Sequence, residues 1–599
     1  MQQFSPAIFV GVGLVIYIFG YWLYARYVDR NVWQPDPNVK TPAHMYMDGV
    51  EFFPTSKSVL FGFQFKSIAA LGPISGPFIA LVFGWLPAFL WIIFGTFFIG
   101  WIHDYTSVMI TVRSEGESFG PIAYRMVGSR GRKGLMGFII FYLILVMSVF
   151  AYICGAFFRA FPQSIVPTIF VIAGGAVAGV MMYRMKINIV ISTIVGLLFM
   201  VVGIWLGLWL FLAPPAGIGA LAWISGTPIE WWIILALVLV YFGATLPITD
   251  WAQPVNYVAF WPCFVAVVLI IAGALLSPLT MGLYPAEPVL VQIDPVITLF
   301  TEANGPIWPI LFVAIACGAV SGWHSLVGSS ATGKQIASEV DALPVAGGSM
   351  FVEGLLAISA MSAYVVIAPA AIQAAWFLNF PTGAAILTQG LFGGAAVSGV
   401  ILVAFFAMVL ELYAITVLQL MPRFFRMAAA DLAGTSFIAP LFRNRWIGAL
   451  IGILIAFAFA ATGAWYHIWM LFGGSNQLLA GLALMLASVY LVRTKRPTYY
   501  TLIPALFMIV TCEAALVWET WIFVSALLTT GYFVRPGSLL GDMAAAGNTL
   551  PAVTLTWIFI GISIILFFLG WLVFADAWAA YRRGPEVAEP EIKVAAPPQ

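Results

Sequence analysis

Lys66 lies within LFGFQFKSIAALGPISGP, residues 60–77, a run otherwise built to sit in lipid. A charge near mid-bilayer costs at least about 2.5–3.5 kcal/mol, so an ammonium kept there points to work that needs it. It could bind an anion, or load and release a proton. It could also do what a bound cation does and neutralise carbonyls freed where Gly72-Pro73 and Gly76-Pro77 interrupt the helix. The plainer reading is a stem that snorkels to the interface. Lys66 is about nine residues inside its apolar run, on the order of 13 Å deep at 1.5 Å per residue, which is long for a snorkel. Gln64, Gly72 and Gly76 share the stretch and join Lys66 as candidate binding residues.

A second polar run, SGWHSLVGSSATGK, supplies Ser321, His324, Ser325, Ser329, Ser330 and Thr332. Ser325 and Ser329 are four apart and share a helix face. Their hydroxyls suit Na⁺ or a lysine ammonium, and the expectation is that Ser329 and Ser330 face Lys66. His324 could carry protons. The alternative is small residues for helix packing plus one hydrogen-bonded histidine. His103 and Asp104 are adjacent, so they point apart on a helix and form no dyad by themselves. Asp104 could pair with a cation across the bundle, or be a structural ion pair or cap. Glu353, Glu411 and Glu513 are lone carboxylates in apolar runs. Glu411 is the preferred proton site among them, and Glu513 reads as structural. Asp250, between Pro247 and Pro254, is a further proton-coupling candidate. Ser475-Asn476-Gln477 reads as polar glue between helices.

These residues need elements to hold them, and composition says which. The 599 residues are 62% hydrophobic and 8% charged, against about 45–50% apolar and 25% charged in soluble domains. Most of the chain is solvated by lipid, so its length means one large all-α polytopic bundle. A net charge of +1 argues against a nucleic-acid partner. Cys154, Cys263, Cys317 and Cys512 lie in apolar runs and read as small buried hydrophobes. The N-terminal MQQFSPAIFV has no basic n-region, so its apolar run reads as a retained first span. There is no HExxH, Walker loop or CxxC pair. The sequence therefore asks for no metal and no cofactor, and the expectation is a protein that is not an enzyme.

Apolar runs between charged or Pro/Gly breaks give about 15 candidate spans, numbered here as segments 1–15: 5–25, 58–83, 85–111, 135–158, 164–183, 188–213, 231–250, 256–277, 306–328, 346–370, 395–421, 446–470, 474–492, 499–524 and 551–577. All Lys and Arg except Lys66, Arg159 and Arg535 then fall in alternate loops. This parity puts the N-terminus outside and the C-terminus in the cytoplasm. Loop 278–305, with Glu287, Asp294 and Glu302 but no Lys or Arg, fits the outside. Residues 578–599 read as a disordered tail.

Segment 2 and segment 7 (YFGATLPITDWAQPVNY) both carry helix breakers and run in opposite directions. Interrupted segments at matching places of two inverted halves point to the site of a secondary transporter. Proline kinks in ordinary helices are the alternative. The expected layout is 1–57 for the first span and loop, then a core over 58–421 with repeats 58–213 and 231–421. Added helices over 422–577 and the tail follow.

Several blocks in order carry a family resemblance: MDGVEFFPTSKSVLFGFQFKSIAALGPISGP, FGWLPAFLWIIFGTFFIGWIHDYTSVMITVRSEGESFG, IACGAVSGWHSLVGSSATGKQIASE and LFGGSNQLLAGLAL. From about residue 47 to 485 the chain resembles the carbon starvation protein A family. The resemblance implies a multi-pass bacterial inner-membrane transporter with a leucine-transporter-like 5+5 inverted-repeat core. It implies a symporter for a small molecule, pyruvate or small peptides, coupled to H⁺ or Na⁺, with protons first. The rival reading is a membrane sensor or accessory subunit that kept the fold without transport. A homo-oligomer is left open. Where the family usually reads FGHHF, this chain has Phe61-Gly62-Phe63-Gln64-Phe65, then Lys66 in place of a small residue. In segment 11 a TTLD-type stretch is replaced by LELYAITVLQLMPRFFRM.

Overall fold

The computed structural model describes the chain except for residues 1–3, 50, 213–226, 281–288, 302–304, 370–375, 393–395, 534–538 and 585–599. Glu287, Glu302, Arg535 and most of the tail 578–599 therefore lie outside the described residues. Eleven described helices are long and apolar enough to cross a membrane, and a twelfth crossing is the bent pair in segment 2. Twelve of the fifteen expected segments meet this measure among the described residues. The remaining three segments are two short apolar helices, Ile229–Thr245 and Arg445–Ala460, and the broken segment 9. Segment 1 shows why lipid is the solvent: Ile8, Val12, Val15, Ile18, Phe19 and Trp22 are exposed along it, as an outward apolar face requires.

Segment 2 bends by 41° between Lys57–Ile68 and Gly72–Phe83. The cause is local. Ala69 leaves helical space at φ −67°, ψ 101°, and Pro73 cannot bond to the carbonyl four residues back, which its ring would strike. The second break is in segment 9, not in segment 7. Ile307–Ala314 ends at Ile315, with φ −91°, ψ 71°, and helix resumes at Trp323 and runs to Gln335. In segment 7 the helix stops at Thr245. Leu246 and Pro247 are extended, and the next helical run starts at Ile248. A residue before proline is pushed to extended backbone, so LPITD separates two helices and interrupts neither.

The two breaks pack against each other at backbone distance. A Cβ on Gly72 would meet Cys317 Cβ at 2.4 Å, and one on Gly76 would meet Ala314 O and Ile315 Cα at 2.9 Å. Segment 3 joins them, since a Cβ on Gly100 would lie 2.4 Å from Ala319 O. Small residues thus set the contact, as in lipid-solvated bundles generally.

One end of the bundle gathers the basic loops. Arg113 makes a two-pronged bond to Glu339 at 2.9–3.0 Å. Arg493 donates to Arg125 O and Met126 O, and Arg496 to Val32 O. Lys57–Asp341, Lys334–Glu51 and Arg130–Asp576 close the same end. The loops grouped by charge parity are therefore neighbours in space.

Candidate functional site

Lys66 sits in the last turn of the first half of segment 2, whose residues Gly62 to Ile68 are all buried. A helix C-terminus favours a cation, so the break helps hold the ammonium. Its Nζ donates to Thr416 Oγ1 at 2.7 Å and lies 4.8 Å from the centre of the Tyr413 ring. Both partners belong to segment 11, so the expected pairing with Ser329 and Ser330 of segment 9 is overturned. Ser330 lines a cavity of ≈ 250 Å³ near the basic end with Arg426, Asp431 and Arg443. Ser325 donates to Gly322 O, and Ser329 Oγ has no partner among the described residues. Among the described residues no carboxylate reaches Lys66 at ion-pair distance, and one of its three donors goes to Thr416. Segments 2 and 11 are thus in contact through Lys66.

Beside Lys66 runs a buried row of ionisable groups. Asp104 Oδ1 is 3.0 Å from Nδ1 of both His103 and His324, and Asp104 Oδ2 is 2.9 Å from His324 Nδ1. His324 Nε2 is 3.3 Å from Glu353 Oε2, at ion-pair range but off the hydrogen-bond direction. Glu353 in turn is within electrostatic reach of Lys66. All five groups are at most 1% exposed. His103 and Asp104 do bond to each other, contrary to the expectation from helix geometry, because Asp104 turns so that one oxygen serves both imidazoles.

The other expected residues are scattered. Gln64 accepts from the Thr332 hydroxyl, and its own Nε2 is unpartnered. Gly72 and Gly76 serve the contact between the breaks. Asp250 is part-exposed and paired with Arg184 at 2.7 Å, because it lies in the connection between two helices near the basic end. Glu411 is buried beside the Cys154 thiol, away from the row, and accepts no hydrogen bond from nitrogen or hydroxyl. Glu513 is buried in segment 14 against Gly570. The four thiols are free and buried. Gly116-Glu117-Ser118-Phe119-Gly120 has Gly-x-Ser-x-Gly spacing, but a helix and a turn precede Ser118. It lacks the strand–turn–helix of a nucleophile elbow.

Asn476 and Gln477 act as the expected polar glue between helices. Gln477 Nε2 donates to Ile315 O at 3.0 Å, and Asn476 Oδ1 accepts from Trp323 N at 3.1 Å. Asn476 O also accepts from Gly322 N, and its Nδ2 donates to Ser321 Oγ. Segment 13 thus replaces bonds that the break in segment 9 removes, which a membrane interior demands. The signal was present as two amides in an apolar run. Trp323 Nε1 does the same for segment 2, donating to Ser67 O at 2.7 Å.

A family model described as "Carbon starvation protein CstA" matches residues 5–376 and 371–515. The chain is similar to the "Peptide transporter CstA" of Campylobacter jejuni, 28% identical over 583 residues, 85% of this chain and 79% of that one. It is similar to the "Pyruvate/proton symporter BtsT" of Escherichia coli, 27% identical over 604 residues, 86% of this chain and 82% of that one. Among solved structures, a manganese transporter mutant from Eremococcus coleocola has 12% identity and a TM-score of 0.36, covering 89% of this chain and 99% of that one.

Proposed function

Because the chain belongs to the carbon starvation protein CstA family, we propose that it is a proton-coupled secondary transporter that imports pyruvate or small peptides. It is a multi-pass membrane protein, set in the bacterial inner membrane with its basic end in the cytoplasm. Both substrate classes carry a carboxylate. The observation that carries the reading is the buried row of ionisable groups beside the crossing of two broken segments. Intramembrane charges mark substrate and ion paths, and paired breaks mark the binding region of such carriers. Lys66, lacking a carboxylate partner at contact distance, is the natural anchor for a substrate carboxylate.

The breaks also suggest how the repeats run. Segments 2–6 and 9–13 make two five-helix halves that start with broken segments of opposite direction. The third helix of each half is long, Phe119–Ala160 and the helical run Gly399–Ala433. Segments 7 and 8 are then an insertion between the halves. This moves the second repeat from the expected 231–421 to about 307–493.

The test is uptake of labelled pyruvate and of labelled alanyl-alanine into sealed proteoliposomes with an inward proton gradient. The expected result is accumulation of at least one of them that an ionophore abolishes. A folded protein that neither accumulates nor exchanges either compound overturns the reading and favours the sensor.

A further inference from the structure

We propose that Asp104, His324 and Glu353 form the proton path of the carrier, with Glu353 as the group that holds the transported proton next to Lys66. The inference rests on the carrier reading above and names the residues that couple it.

Geometry orders the path. Asp104 on segment 3 holds His324 Nδ1, with its two oxygens at 3.0 and 2.9 Å. A carboxylate there keeps a proton on Nδ1, so Nε2 is the nitrogen left to exchange one. Nε2 faces Glu353 Oε2 at 3.3 Å. Small motion of segment 9 or 10 brings that pair into hydrogen-bond geometry. His103 also leans on Asp104 Oδ1, at 3.0 Å, and its Nε2 is unpartnered. His103 therefore supports the ionised form of Asp104 and lies beside the path.

The neighbours leave few other proton holders. Lys66 comes from segment 2, Cys263 from segment 8, Cys317 from segment 9 and Tyr413 from segment 11, and these are the further titratable groups in electrostatic reach of the row. Segment 13 contributes Asn476, which does not titrate. Among the described residues neither Glu353 oxygen has a hydrogen-bond partner, an arrangement that suits a group gaining and losing a proton and not a fixed structural acid.

Charge balance then supplies the coupling. With Glu353 ionised and both histidines neutral, Lys66⁺ faces Asp104⁻ and Glu353⁻, and the row is one charge negative. An incoming carboxylate would make it two negative in a fully buried site, which is prohibitive. With a proton on Glu353 the row is neutral, and Lys66 is released to take the carboxylate. The empty, proton-free site and the site holding one proton and one carboxylate carry the same net charge. Proton and monocarboxylate therefore enter together, one of each per cycle, and neither enters alone at low cost.

The experiment uses full-length protein in proteoliposomes, with proton influx and labelled pyruvate or alanyl-alanine followed together. For wild type, one proton per pyruvate and a pH-dependent counterflow are expected. Glu353→Gln, a fixed mimic of the protonated acid, is expected to make counterflow independent of pH and to drop gradient-driven accumulation to the level seen with ionophore. His324→Gln is expected to lose gradient-driven accumulation in the same way. Wild-type exchange together with full proton coupling in both folded variants overturns the path and leaves the carrier standing. Absence of any wild-type exchange overturns the carrier reading, and the path falls with it. Uncoupled wild-type transport overturns the path whether or not the variants fold.

Discussion

Lys66 and Thr416 are 350 residues apart and 2.7 Å from each other. The lysine could be singled out from sequence because a charge in lipid is costly wherever it points. Its partner could not, because threonines are common in spans and many hydroxyls could have answered. The same holds for Asp104, His324 and Glu353, each conspicuous alone and joined only by packing. Thr416→Val keeps the shape and removes the oxygen. A hydrogen bond to a charged group contributes roughly 1.5–3 kcal/mol, so this variant should unfold at lower temperature in detergent by about that free energy. It should also bind pyruvate more weakly, as read by the concentration dependence of counterflow. Unchanged stability and affinity would mean that Thr416 merely accompanies the lysine.

At the scale of elements, the breaks decide what the segments do. Pro and Gly flagged both segment 2 and segment 7, yet only segment 2 is interrupted within a crossing. Segment 9 breaks without a proline in the break itself, at ACGAVSG. Its lost bonds are replaced by Asn476 and Gln477 from segment 13, so the information for that break is spread over two distant stretches. Gly76 tests how tightly the breaks must fit. An added methyl would lie 2.9 Å from Ala314 O and Ile315 Cα, and backbone atoms cannot turn aside as a side chain can. Overpacking of this kind costs typically about 1–3 kcal/mol. Gly76→Ala should lower the melting temperature and slow counterflow more than it changes substrate affinity. A variant that exchanges substrate at the wild-type rate would show that segments 2 and 9 do not move past each other at this point.

For the whole molecule, the loops grouped by charge parity cluster at one end, the end that the positive-inside bias assigns to the cytoplasm. The four native cysteines are buried, so a single exposed cysteine gives a clean signal. Lys40→Cys should react with an impermeant maleimide only from the cytoplasmic side of inverted vesicles, and Asn548→Cys only in intact spheroplasts. The opposite pattern would invert the molecule and every direction assigned to its segments. Membrane residence and the positions of most apolar segments were legible in the sequence alone, because lipid as a solvent imposes composition on each crossing. Only the tertiary structure decided which segment carries the second break, that Lys66 faces segment 11, and that Asp104, His324 and Glu353 form one row. Those contacts join residues up to hundreds of positions apart, and in an apolar bundle no local periodicity says which polar side chains will meet.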